Sequence, residues 1–212
     1  VTVFHPDTQY SDFVGSLKPH TERDAAGKPT ITYEYRPGPF LNALVKAENN
    51  PSEHVYLVIE EINRAPAAAV FGELFQLLDR KENGESDYGI KVSDPDMLDY
   101  INSQIDREIT ELKIPSNLSV YATMNSSDQA VMPLDTAFKR RWSFQYFKLD
   151  FNSDSAPKQD LEIALNDGLY QITWANFADR VINGMLKKFE ISEDRLVGPY
   201  FLNPEELKDS KS

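Results

Sequence analysis

Residues 55–65 read Val55-Tyr56-Leu57-Val58-Ile59-Glu60-Glu61-Ile62-Asn63-Arg64-Ala65. An unbroken apolar run between His54 and Glu60, with Val55, Val58 and Ile59 β-branched, is the pattern of a strand buried on both faces inside a parallel sheet. Ala67 to Leu78 follows behind Pro66 with apolar residues at helical spacing, and proline suits the first turn of a helix. A buried strand that feeds a helix is the repeating unit of an α/β fold. Ligands in such folds collect at the carboxyl ends of the strands, so Glu60 and Glu61 mark the first place to look for chemistry.

Outward from this unit the alternation continues. Val1 to His5 is a short strand candidate that stops at Pro6, and Tyr10 to Leu17 has the composition of a helix. Residues 21–39 are rich in proline, glycine and charge, with Ile31 to Tyr35 alternating, which suggests a hairpin or excursion. Phe40 to Glu48 reads as a helix. Downstream, Leu118 to Thr123 is a second buried-strand candidate ending at Asn125-Ser126-Ser127-Asp128. Leu134 to Arg141 suits a short helix, Ser143 to Phe151 alternates as a strand, and Asp160 to Phe189 carries apolar residues at mostly helical spacing. The expectation is a large α/β domain over 1–152 and a smaller, mostly helical one over 153–212.

The 212 residues contain no cysteine, and 22 Lys+Arg against 34 Asp+Glu give a net charge of −12. That excludes a disulfide scaffold, a cysteine-ligated zinc site and a generally basic nucleic-acid binder. Residues 82–111 hold nine acids against Lys91 and Arg107, seven of the twelve net negative charges, and read as a solvated acidic insertion. At 41% hydrophobic residues the chain can bury a sizeable core. The apolar runs are far shorter than the roughly 20 residues a bilayer requires, and the expectation is that no charged-then-apolar leader opens the chain. The expectation is a soluble, cytoplasmic protein without membrane contact.

Three polar groups sit just beyond predicted elements: Glu60-Glu61-Ile62-Asn63-Arg64, then Met124-Asn125, then Arg140-Arg141. A carboxylate pair, an amide and an arginine are the parts that cleave a nucleoside triphosphate. One acid serves Mg²⁺, one orients the attacking water, the amide fixes that water and the arginine offsets developing charge. Alternatives stay open at each position. An acidic pair also starts solvated loops, asparagine is a common turn residue, and a basic pair closes a helix against its dipole.

Taken together the motifs resemble the McrB-type branch of the AAA+ nucleoside triphosphatases, the motor subunits of modification-dependent restriction systems. Phe4-His5-Pro6 with Tyr10-Ser11-Asp12-Phe13-Val14 is similar to that family's FHxxxxYxDFV stretch. Val58 to Ala65 with Phe71-Gly72-Glu73-Leu74 resembles its Walker B strand and helix. Thr123-Met124-Asn125 with Asp128 resembles its sensor 1 segment, Leu134 to Trp142 its LDxALRRRF element, and Gly198-Pro199-Tyr200-Phe201 its lid. The resemblance implies an AAA+ P-loop NTPase core with a parallel sheet and a partial helical lid. It implies that Glu60 is the Mg²⁺-associated acid and Glu61 the water-activating one. Asn125 is then sensor 1, Arg140 or Arg141 reaches a neighbouring subunit's nucleotide, and Asn63, Arg64 and Asp128 lie around the bound GTP or ATP. It further implies a homo-oligomeric ring, a partner nuclease subunit, and DNA translocation by the complete complex. Glu60 departs from the usual Asp of its position, and MNSSDQA departs from the sensor pattern of the restriction GTPases.

No GxxxxGK[ST] phosphate loop occurs in the sequence, which begins at Val1 with methionines only at 97, 124, 132 and 185. The expectation is a piece of a longer NTP hydrolase lacking the first strand and Walker A loop, inactive alone. In the family's sheet that strand lies between those at 118–123 and 143–151. The alternatives are a MoxR-type AAA+ ATPase or chaperone, which shares an EINRA-like Walker B, and a non-catalytic AAA-like interaction module.

Overall fold

The computed structural model, which describes residues 1–125, 131–153, 156–203 and 205, puts the 55–60 stretch at the centre of a parallel sheet. In chain order the first part contains β1 (Thr2–Val3), α1 (Tyr10–Phe13), β2 (Gly15–Arg23), β3 (Pro29–Pro37) and α2 (Pro39–Asn49). After these come β4 (Val55–Glu60), α3 (Ala67–Phe71), β5 (Ile90–Lys91), α4 (Pro95–Gln104), β6 (Glu111–Leu112), β7 (Leu118–Ala122) and α5 (Thr136–Lys139). The sheet order is β1-β4-β7, with Thr2 opposite Ile59 and Val55 to Ile59 opposite Leu118 to Ala122, all parallel. The α/β class read from the sequence holds.

β4 is buried on one face only, which corrects the expectation of two. Val55, Leu57 and Ile59 point into the core beneath α2, whereas Tyr56 on β4 and Tyr121 on β7 are 59% and 56% exposed on the other face. Tyrosine satisfies both readings, because its ring is apolar and its hydroxyl tolerates water.

The core is organised around Phe71, at the end of α3. Its ring lies 4.8 Å from that of Phe13, 5.3 Å from Phe138, 6.3 Å from Trp142 and 6.5 Å from Phe4. The aromatic residues of three of the sequence motifs are therefore packing residues. They tie α1, α3 and α5 together beside the strand ends that carry the polar ones.

Several elements differ from expectation for local reasons. The helix at Tyr10 stops at Phe13, because Gly15 has φ +133° and a Cβ there would stand 2.6 Å from the Arg36 carbonyl oxygen. The chain turns into the antiparallel hairpin β2–β3, which runs from Gly15 opposite Pro37 to Arg23 opposite Pro29. Helix α3 breaks at Gly72, φ +55°, and continues as a 3₁₀ turn over Gly72–Leu78. The acidic stretch is no loose insertion. Asp94 caps α4 by accepting from the Asp96 and Met97 N–H groups, and Met97, Ile101, Ile105, Ile109, Leu112 and Ile114 enter the main core.

Contacts divide the chain into units 1–143 and 144–212. In the second unit residues 160–173 form a hairpin, β8 (Asp160–Leu165) and β9 (Gly168–Thr173), where helix was expected. The turn Asn166-Asp167-Gly168 between two alternating runs is the hairpin signal that outweighs the leucine spacing. Helix begins at α6 (Trp174–Asn176), passes through π-helical Phe177–Asn183, and ends as α7 (Gly184–Lys188). The segment read as helical over 160–189 is thus hairpin in its first half. Trp174 donates from Nε1 to the Pro199 carbonyl at 2.8 Å, and the Asn183 amide pairs both ways with Val197, which secures the 198–201 segment. The expected strand over 143–151 has no ladder partner among the described residues, and without one a strand has no hydrogen bonds to define it. Among the described residues no helix is long and apolar enough to cross a membrane.

Phe71→Ala is expected to lower unfolding stability by about 3–5 kcal/mol, read from urea melts. Tyr56→Ser on the open face is expected to change it by no more than about 0.5 kcal/mol.

Candidate functional site

The β4–β7 ladder does not end where the strands do. The Thr123 N–H donates to the Ile59 carbonyl at 2.9 Å, and the Ile62 N–H donates to the Thr123 carbonyl at 3.0 Å. On the other side the Phe4 N–H donates to the Glu60 carbonyl at 2.9 Å. These bonds hold Glu60, Glu61 and the segment leading to Asn125 at the carboxyl edge of one sheet.

Between the two outer bonds the chain must turn sharply, and Glu61 absorbs the turn. Its backbone is left-handed, φ 55° and ψ 44°, a conformation that costs a non-glycine residue roughly 1–3 kcal/mol. The turn is held by the Thr123 hydroxyl, which accepts from the Glu61 N–H at 3.4 Å, and by the 3₁₀ turn Ile62–Arg64 behind it. The Glu61 carboxylate meets Arg64 Nε at 3.3 Å, with both side chains partly exposed. Glu60 ends β4 with its side chain exposed to solvent.

Asn63 sits in a different place from its neighbours. It is buried, its side-chain amide donates to the Asn125 backbone carbonyl at 2.8 Å, and its backbone carbonyl accepts from the Met132 N–H at 2.7 Å. It therefore braces the Asn125 segment from behind, while Asn125 itself is exposed. Asp128 lies outside the described residues.

The arginine pair is divided by its surroundings. Arg141 places Nη2 and Nε at 2.9 and 3.0 Å from Asp79 Oδ2 and donates from Nη1 to the Ala137 carbonyl at 2.6 Å. Its guanidinium also covers the Phe75 ring at 4.6 Å, and its side chain is 5% exposed. Arg140, one residue earlier, is exposed with no side-chain partner among the described residues. Asp79 is a positioning group that the sequence does not reveal, and the positioning role of the Thr123 hydroxyl adds to the residue's place in the sensor-like segment. Thr123 was signalled by its place in the strand-to-asparagine segment, while Asp79 carried no local signal.

No group of three or more histidine, cysteine, aspartate or glutamate side chains that could hold a metal ion occurs among the described residues. Among the described residues of the site, the carboxylates placed to serve a cation are those of Glu60 and Glu61. That donor set suits Mg²⁺, which keeps several waters and shares its coordination with phosphate oxygens.

The sequence matches the family described as AAA domain (dynein-related subfamily) over residues 1–142. The chain belongs to this family. It is 41% identical over 222 residues to the type II restriction enzyme BsuMI component YdiS of Bacillus subtilis (strain 168), covering 96% of this chain and 63% of that protein. It is 28% identical over 141 residues to the type IV methyl-directed restriction enzyme EcoKMcrB subunit of Escherichia coli (strain K12), covering 66% of this chain and 26% of that subunit. The chain thus spans less than two thirds of the length of either relative. The family match covers the sheet, the strand-end acids and the arginine pair, and stops one residue short of the division between the two compact units.

The two arginines are expected to separate on mutation. Arg141→Ala should cost about 2 kcal/mol or more of stability, because Asp79, the Ala137 carbonyl and the Phe75 ring lose a charged partner. Arg140→Ala should stay within about 0.5 kcal/mol of the parent. Urea melts of both variants check this.

Proposed function

We propose that this AAA-family chain supplies the hydrolytic edge of a nucleoside triphosphatase of the McrB type, working as part of a restriction system. The observation that carries the reading is the pinned turn at the end of β4. Two adjacent carboxylates there face the carboxyl edge of a parallel sheet, one of them on strained backbone, next to an exposed asparagine on the neighbouring segment. Strain of this kind persists where surrounding bonds over-determine it, and it belongs with sites that need a group aimed in one direction.

In this reading Glu60 serves Mg²⁺ through its water shell. Glu61 takes the proton of the attacking water, and the Asn125 amide orients that water. Bound Mg²⁺ supplies charge neutralisation along the phosphates of GTP or ATP. Arg140, exposed at the end of α5, is the arginine that reaches a nucleotide held by a neighbouring subunit in a ring, because Arg141 is engaged within its own subunit. Asn63 positions Asn125, and Arg64 holds the Glu61 carboxylate. The similarity to restriction enzyme components supports the coupling of turnover to DNA translocation for a partner nuclease, and supports this reading over a chaperone or a non-catalytic module.

The test is Mg²⁺-dependent turnover of GTP and of ATP by the full-length protein and by its Glu61→Gln form. Glu61→Gln is expected to lose about 10²–10⁴-fold in kcat while still binding nucleotide. Undiminished turnover would remove Glu61 from the catalytic role. Arg140→Ala is expected to lower kcat per ring without changing the stability of the subunit.

A further inference from the structure

A cleft separates the β2–β3 hairpin from α4 and is lined by Leu17, Tyr33, Tyr35, Asp96, Asp99 and Tyr100 among others. Its two walls differ in chemistry. Strand register puts Leu17 beside Tyr35, Pro19 beside Tyr33 and Thr21 beside Ile31 on one side of the hairpin, while Lys18, Glu34 and His20 alternate to the other, and Glu34 also lines the cleft. Leu17, Tyr33 and Ile31 are 44%, 68% and 68% exposed, so this face is apolar and open.

On α4, Asp96, Asp99, Tyr100 and Ser103 share one stripe by their three- and four-residue spacing. The Asp96 and Asp99 carboxylates are exposed and have no side-chain hydrogen bond or ion pair among the described residues. Tyr35 and Tyr100 join the walls, with ring centroids 5.4 Å apart. The Tyr35 hydroxyl is buried without a hydrogen-bond partner among the described residues, and burial beside Asp94 keeps it protonated well above the usual tyrosine range. The cleft therefore presents neutral aromatic faces opposite two unpaired carboxylates.

We propose that this cleft is the docking site for an arginine-bearing segment of a different protein chain. An arginine side chain satisfies both walls together. Its guanidinium stacks on tyrosine faces and donates to carboxylates, while its methylenes cover Leu17. A purely apolar segment would bury the two carboxylates unpaired, and nucleic acid or an anionic lipid surface would be repelled by them. A second copy of this chain is disfavoured by the −12 charge each copy carries. The inference concerns a surface apart from the strand-end acids and does not depend on their chemistry.

The experiment uses the full-length protein and a fluorescein-labelled peptide alternating arginine and leucine, with a citrulline counterpart that keeps the shape and loses the charge. Fluorescence anisotropy is read at about physiological ionic strength, where diffuse surface attraction is screened beyond roughly 8 Å. The parent is expected to bind the arginine peptide. Asp96→Asn/Asp99→Asn and, separately, Tyr33→Ala should each weaken binding by about tenfold or more, equivalent to roughly 1.4 kcal/mol. Asp106→Asn/Glu108→Gln, which removes two charges from the same acidic stretch outside the cleft, should leave it unchanged. Matching thermal melts confirm that each variant folds. Absent binding, equal binding of the citrulline peptide, or retained affinity in the cleft variants would overturn the proposal. So would an equal loss in the charge-matched control. Sedimentation showing a homodimer that the cleft variants dissolve would assign the surface to a second copy, and would overturn it as well.

Discussion

The pairing of β4 with β7, carried past the ends of both strands by Thr123, is the constraint on which the rest of unit 1–143 depends. A parallel ladder brings together residues more than sixty positions apart, so it contributes nothing until the intervening chain has found its place. Once formed, it aligns two segments at one edge and leaves the turn between them too little room for ordinary backbone. Glu61 takes up that mismatch. The acid that stands at the tip of the fold is also the residue whose conformation the fold must enforce.

Around this ladder the aromatic cluster at Phe71 acts as a collar. Phe4 and Phe13 come from the N-terminal segment, Phe138 and Trp142 from the helix that carries the arginines, and all meet one ring on α3. Residues that look like signatures of activity in the sequence are thereby explained by packing, and the polar residues beside them inherit their positions. The Arg140–Arg141 pair shows the same division at single-residue resolution. Arg141 joins α5 to the acid following the 3₁₀ turn, and Arg140 faces solvent.

Legibility in the sequence followed the range of the interaction involved. The strands at 55–59 and 118–123 were readable because an apolar run flanked by polar residues has few other homes, and the acids at 60 and 61 were readable from their place after the first. The one-sided burial of β4 was not, since Tyr56 is compatible with either environment. The hairpin at 160–173 was obscured by Leu161 and Leu165, whose spacing satisfies a helix, although Asn166-Asp167-Gly168 carried the contrary signal. The brace at Asn63 and the anchoring of Arg141 by Asp79 were not legible at all. Both depend on contacts 62 positions apart along the chain, which no local pattern encodes.

The sheet has a further bearing on how the molecule behaves in solution. Among the described residues β7 pairs on one side only, and the face bearing Tyr56 and Tyr121 is uncovered. Unpaired ladder edges beside exposed rings favour edge-to-edge association, which charge opposes. A chain at −12 is kept apart by its own field, and that field is the part of the balance that dissolved salt removes. For the exposed rings of this sheet face, staying apart is thus an electrostatic property set against a structural one.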